Sequence, residues 1–132
     1  GKKEKFNDQF RMPGSKYEYD EPIAFLTLSK GEEIDWAHID FNYIYDFLYI
    51  PGIIFEEIVK KAQELDLNYF KKFKLYQDER FSGDILLTLL SEIGKIKESL
   101  EDQDVLKAIE LITEKIEKCI SSTELELAFE GY

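Results

Sequence analysis

Apolar side chains recur along this chain with two different periods, and each period predicts a kind of element. In residues 37–47 the odd positions are apolar and the even positions mostly polar, which is the alternation of a half-buried strand. An apolar run over residues 23–28, followed by the turn signal at 29–31, predicts another strand. The two segments together predict an antiparallel hairpin that turns through residues 29–35.

A helix over residues 37–47 is the alternative, because apolar side chains also recur there at helical spacing. That helix would leave Tyr43 and Phe47 away from its apolar side, whereas a strand collects both on one face. The segment is also rich in aromatic residues, which pack well on a pleated surface. The strand is therefore the prediction.

Spacings of three and four residues predict three helices in the rest of the chain. The first follows Pro51-Gly52, the second begins at Ser82 as its cap, and the third begins at Asp104 as its cap. The last two are joined by a short connection and are predicted to pack as an antiparallel pair. Residues 67–80 are either a short helix or an irregular aromatic and basic segment.

The segment 123–130 alternates again, with Leu125, Leu127 and Phe129 on one side and glutamates on the other. This pattern predicts a last strand that joins the sheet with a charged outer face. The predicted fold class is α+β: a small antiparallel sheet, formed by the N-terminal hairpin plus the C-terminal strand, packed on one face by three to four α-helices.

The N-terminal segment differs from the rest of the chain. Residues 1–16 have little apolar pattern and contain Pro13-Gly14, so they are predicted to form a flexible N-terminal arm. Residues 17–132 are predicted to form a single globular α+β domain, because a chain of this length can bury one core.

The chain of 132 residues has 28 Asp and Glu against 17 Lys and Arg, a formal net charge of −11. Nucleic-acid phosphates and anionic membrane surfaces repel such a protein, so neither is expected as a partner. Lys71, Lys72 and Lys74 stand among aromatic residues, but three lysines in an acidic chain do not change this expectation. No apolar run is long enough to span a bilayer.

Candidate chemistry is sparse. One cysteine and one histidine exclude zinc sites built from these residues. His38 stands near Asp35 and Asp40, and a histidine beside a carboxylate can act as a general base. A solvated strand face explains the same residues and no nucleophile accompanies them, so neither enzymatic activity nor a cofactor is predicted. Cys119 continues an apolar helix stripe and is predicted to be an inert core residue.

The acidic excess is unevenly distributed. Residues 17–58 carry a net charge of −9 and residues 81–132 carry −7, whereas residues 59–80 carry +2. The first block coincides with the predicted hairpin and the start of the next helix, so a basic partner is expected to dock there. The residues predicted to bind it are Glu32, Glu33, Asp35, His38, Asp40, Asn42, Asp46, Glu56 and Glu57.

A small, strongly acidic domain with many tyrosines and no catalytic constellation has the general character of bacterial immunity proteins. By this analogy of character, the expected function is inhibition of a basic partner, such as a nuclease toxin, by occlusion of its active cleft in the bacterial cytoplasm. The alternative is a non-catalytic structural or regulatory subunit that associates through its C-terminal helices. The chain is expected to be a monomer or a weak homodimer.

Overall fold

The computed structural model of this chain describes residues 7–37 and 44–132, and these form a mixed α and β domain. The elements are β1 (Pro22–Ser29), β2 (Leu48–Pro51), α1 (Gly52–Glu64), the 3₁₀ turn Phe70–Lys72, β3 (Glu79–Phe81), α2 (Asp84–Glu98), α3 (Gln103–Ile120) and β4 (Leu125–Glu130). The predicted α+β class is confirmed.

The strands form one antiparallel sheet in the order β2-β1-β4-β3. Pro22 of β1 lies opposite Pro51 of β2, and Ser29 at the other end of β1 lies opposite Leu125 of β4. The predicted C-terminal strand is therefore confirmed, and it occupies an inner position between β1 and the short edge strand β3.

One face of the sheet packs against the three helices and holds the main core. Ile23 and Phe25 of β1 and Phe129 of β4 join the buried side chains of the helices there. The ring centroid of Phe25 lies 5.2 Å from that of Phe129 and 5.7 Å from that of Phe55 in α1. The alternation of β1 and β4 thus carries large apolar side chains to the helical layer, as the sequence pattern predicts.

The opposite face of the sheet carries a second, smaller core. Ala24 and Leu26 of β1 and Ala128 of β4 are buried there together with Tyr45 and Phe47, which come from the connection between β1 and β2. The predicted charged outer face of β4 is thus interrupted at its centre, because Ala128 is covered by this connection. Helices α1, α2 and α3 all pack on the face of the sheet that holds the main core, as predicted.

The second strand lies later in the chain than predicted. Residues 38–43 of the predicted strand lie outside the described residues, and Tyr45 and Phe47 are not in the sheet. The paired strand is instead β2. A period of two shows only that alternate side chains are buried, and a segment that crosses over a sheet can satisfy it as well as a strand within the sheet.

The predicted helices are present, but two begin at different residues. α2 follows Gly83, whose φ of 65° favours glycine, and not Ser82. α3 is capped by Asp102 and not by Asp104, because the Asp102 carboxylate accepts hydrogen bonds from the amides of Asp104 and Val105 at 2.9 and 3.2 Å. α2 and α3 pack against each other as predicted.

The ambiguous segment 67–80 contains the 3₁₀ turn and leads into β3. The turn is held by Glu92 of α2, which is 5% exposed. Its carboxylate accepts hydrogen bonds from the amides of Tyr69 and Phe70 at 3.2 and 2.9 Å. A buried carboxylate from a helix thus satisfies amides that the turn leaves unpaired.

Part of the predicted N-terminal arm contacts the domain. Phe10 is 7% exposed within the main core, and the carbonyl of Asn7 accepts a hydrogen bond from the amide of Tyr49 at 2.7 Å. Residues 1–6 lie outside the described residues, and the flexibility of the arm stays a prediction. Within the described ranges, no helix is both long enough and apolar enough to cross a membrane.

Candidate functional site

A groove with acidic walls lies where the segment before β1 meets the first turns of α1 and α3. It encloses about 370 Å³. We call it the acidic groove, and the described residues that line it are Lys16, Tyr17, Asp20, Ile53, Ile54, Glu57, Asp102 and Val105.

Hydrogen bonds fix the turn that forms one wall of the acidic groove. The Tyr17 hydroxyl donates to the carboxylate of Asp104 at 2.7 Å, which ties the turn to the start of α3. The amide of Asp20 donates to the carbonyl of Tyr17 at 3.0 Å, and Arg11 donates to the carbonyl of Asp20 at 3.3 Å. The Asp20 carboxylate is therefore presented by an ordered backbone.

The carboxylates of the acidic groove outnumber its cations. Asp20, Glu57 and Asp102 form no ion pair within the described part of the chain. Lys16 is the basic residue among the described lining residues, and its ammonium already lies 3.2 Å from the carboxylate of Asp104. The groove therefore keeps a net negative charge.

Neighbouring groups stabilise the ionised carboxylate of Asp104 beside the groove. The hydrogen bond from Tyr17, followed by that from Lys16, holds the pKa of the Asp104 carboxyl below its ordinary value. Asp102 and Asp104 also lie at the N-terminus of α3, where the helix dipole favours carboxylates. The Asp104 carboxylate therefore stays ionised at neutral pH.

Apolar side chains accompany this charge. Ile53 is 57% exposed at the groove, and Tyr19 on the adjoining turn is 92% exposed. Exposed aliphatic and tyrosine side chains of this kind serve as anchors when a partner covers them. The site therefore combines charge for attraction with apolar area for binding.

Among the predicted partner-binding residues that the structure describes, Glu57 alone lines the acidic groove. Its neighbour Glu56 faces a different groove on the other side of α1. The sequence does mark the other wall residues in general terms, since Asp20 belongs to the acidic block and Tyr17 is one of many tyrosines. Neither pattern shows which of these residues lie close together in the fold.

The acids after β1 lie at the far end of the sheet. Glu32 is anchored beside the last residue of β1, because its carboxylate accepts a hydrogen bond from the amide of Ser29 at 3.0 Å. α1 begins beside the first residues of β1, where the amide of Gly52 donates to the carbonyl of Glu21 at 2.8 Å. β1 has 8 residues, so at about 3.4 Å per residue the two acidic groups are roughly 24 Å apart.

Glu33 and Asp35 are exposed next to Glu32. Asp35 accepts a hydrogen bond from the amide of Ala37 at 3.2 Å. The other three predicted residues of this segment, His38, Asp40 and Asn42, lie outside the described residues. A general base formed by His38 with Asp35 or Asp40 thus stays a hypothesis.

Asp46 is held by its own chain. Its carboxylate lies 3.0 Å from the ammonium of Lys115 and 2.7 Å from that of Lys118, and it accepts a hydrogen bond from the amide of Thr27 at 2.9 Å. Burial acts to raise the pKa of Asp46, but the bonds from Lys118 and Thr27 outweigh it and hold that pKa below its ordinary value. Asp46 therefore joins the β1–β2 connection to α3.

No group of three or more metal-ligating side chains occurs among residues 7–37 and 44–132. Cys119 is 1% exposed, and burial raises the pKa of its thiol to about 11. The thiol is therefore protonated at neutral pH and packed in the core, as its helical register predicts.

The chain was compared with protein families, with curated proteins and with solved structures, and none of the three comparisons found a match. Its function must therefore be inferred from the geometry above.

Proposed function

We propose that this protein is an acidic protein-binding inhibitor of immunity-protein type, acting in the bacterial cytoplasm on a basic partner such as a nuclease toxin. The observation that carries the proposal is the acidic groove, which is lined by the exposed Ile53 and by Asp20, Glu57 and Asp102, three acids without ion pairs among the described residues. A basic nuclease cleft, built to bind phosphates, is complementary to such a surface.

Electrostatic attraction and apolar burial contribute to different steps of the proposed binding. The carboxylates, together with the net charge of −11, attract a basic partner over distance and orient it. Ile53 and Tyr19 lose exposed area when the partner docks, and apolar burial then slows dissociation. The predicted acids Glu32, Glu33 and Asp35 lie at the other end of β1, so a partner contacts both acidic groups only if its interface extends along this strand.

The experiment is a stopped-flow measurement of association between the full chain and a basic nuclease encoded beside it. We expect the association rate to fall by at least about ten-fold when sodium chloride is raised from roughly 50 to 300 mM. The Asp20→Lys/Glu57→Lys variant is expected to bind at least about a hundred-fold more weakly, because it reverses two charges at the contact.

Two control variants separate the possible docking faces. Glu98→Lys/Glu110→Lys changes two exposed acids on α2 and α3 by the same total charge, and it is expected to bind almost normally. Glu33→Lys/Asp35→Lys tests the predicted hairpin face. A salt-independent association rate, or equal loss in all three variants, would contradict docking through the acidic groove.

A subunit role through the C-terminal helices is the second candidate. Leu87 of α2 is 55% exposed and Ile120 of α3 is 37% exposed, and both line a groove of about 210 Å³ between these helices. Sedimentation equilibrium of the full chain tests it. A dimer that dissociates in the Leu87→Ser variant supports this role, and a strict monomer up to about 100 μM argues against it.

A further inference from the structure

A larger groove of about 660 Å³ lies on the other side of α1. We call it the lysine groove, and the described residues that line it are Glu56, Val59, Lys60, Gln63, Phe73, Lys74, Leu75, Tyr76 and Tyr132. It is formed in part by the aromatic and basic segment 67–80, for which the acidic groove provides no role.

The floor of the lysine groove is apolar and its walls are aromatic. Val59 and Phe73 are 9% and 6% exposed and form the floor. Tyr76 is 72% exposed, and Tyr132 is held in place because its amide donates to the carbonyl of Leu75 at 2.7 Å. The groove is therefore a surface formed by the fold and not a gap between loose side chains.

Two lysines of this groove form no close ion pair within the described residues, although Lys60 attracts the carboxylate of Glu64. Lys61 is paired with Glu64 and Lys71 with Asp66, whereas Lys60 and Lys74 form no such ion pair. Glu56 is the only acid among the described lining residues. The groove is thus locally cationic in a chain whose net charge is −11.

We infer that the lysine groove binds an acidic peptide segment of a partner protein, in which an aromatic or aliphatic side chain is flanked by carboxylates. The apolar side chain covers Val59 and Phe73, between the rings of Tyr76 and Tyr132. The flanking carboxylates pair with Lys60 and Lys74, and the Gln63 amide is available to the peptide backbone.

The charges favour a peptide over a nucleic acid. Lys60 and Lys74 can neutralise two carboxylates, but a nucleic-acid strand brings many phosphates toward a chain with net charge −11. The lysine groove and the acidic groove also lie on different sides of α1, since Glu56 and Lys60 line one and Ile53 and Glu57 line the other. The inference therefore does not depend on the proposed inhibitory function.

The test is fluorescence anisotropy of the full chain with a fluorescein-labelled peptide, acetyl-GEFLDG-amide, whose two carboxylates match the two lysines. We expect saturable binding that weakens about ten-fold in Lys60→Gln/Lys74→Gln, since each exposed ion pair contributes a factor of roughly two to five. Tyr76→Ala is expected to weaken binding further by removing a wall. The matched control, Lys95→Gln/Lys97→Gln on α2, removes the same charge at exposed positions away from the groove.

Four results would overturn the inference: no saturable binding, equal binding by Lys60→Gln/Lys74→Gln and wild type, equal binding of the neutral peptide acetyl-GQFLNG-amide, or tighter binding of an oligothymidine strand. A dimer that is lost in Tyr76→Ala would also overturn it, because a second copy of the chain would then occupy the groove. Circular dichroism confirms folding of each variant. Asp20→Lys/Glu57→Lys is expected to bind the peptide normally, so failure here is distinct from failure of the proposed function.

Discussion

At the scale of single residues, two carboxyl groups meet at the end of β4. Glu130 faces Asp78, whose carboxylate accepts a hydrogen bond from the amide of Gly131 at 2.9 Å. Burial, then the hydrogen bond and repulsion from Asp78, raise the pKa of Glu130 to about 7, and Arg80 of β3 opposes this by attraction. Glu130 therefore keeps its proton to a higher pH than an ordinary glutamate, because its ionised carboxylate would be repelled by Asp78.

This pair makes stability depend on pH in a defined direction. Between the ordinary pKa of 4.5 and the folded value of about 7, the unfolded chain releases the Glu130 proton and the folded chain keeps it. Stability contributed by this proton is thus lost as pH rises through that window. Glu130→Gln is expected to lose less stability than wild type between about pH 5 and about pH 8, measured by urea midpoints.

Glu124→Gln is the control for this comparison. Glu124 is exposed beside β4, and its replacement by glutamine removes the same charge as Glu130→Gln. Its pH dependence is expected to match that of wild type. If Glu130→Gln and Glu124→Gln behave alike, the Asp78–Glu130 pair does not hold a proton at neutral pH.

At the scale of elements, two glycines have different structural roles: one affects only helix propensity, and the other permits a close backbone contact. Gly94 lies inside α2, and a Cβ there meets no atom within 4 Å. A Cβ at Gly131 would lie 2.7 Å from the amide nitrogen of Gln77 and closer still to the carbonyl of Leu75. The first glycine is a weak helix residue, whereas the second lets β4 end against the loop before β3.

Alanine at these two positions is therefore expected to have opposite effects. Gly94→Ala is expected to raise the free energy of unfolding by about 1 kcal/mol, since alanine favours the helix. Gly131→Ala is expected to lower it by about 1–3 kcal/mol, because backbone must move to admit the methyl group. Urea denaturation measures both, and a stabilising Gly131→Ala would show that this contact is loose.

At the scale of the whole molecule, like charges repel across most of the surface. The net charge is −11, and the ion pairs of the described residues are mostly exposed. Self-repulsion of this kind destabilises the compact state and is screened by salt, whereas exposed ion pairs are individually weak. We therefore expect the repulsion to be the larger electrostatic effect on folding.

The melting temperature is accordingly expected to rise when sodium chloride is increased from roughly 10 to 200 mM, because screening reduces the repulsion. Differential scanning calorimetry of the full chain measures it. Potassium chloride serves as the control for specific ion effects. A melting temperature that falls with both salts would show that ion pairs, and not repulsion, dominate.

The sequence by itself determined the α+β class, the three helices, the inner strands β1 and β4 and the excess of acid, because these follow from local periodicity and composition. It misplaced β2, since the alternation at Tyr45 and Phe47 reports burial and not strand pairing. Only the tertiary structure decided which carboxylates act together. Strand pairing separates Glu32 from Glu57, and Lys115 and Lys118 neutralise Asp46, because the field at a surface depends on side chains that lie far apart in the chain.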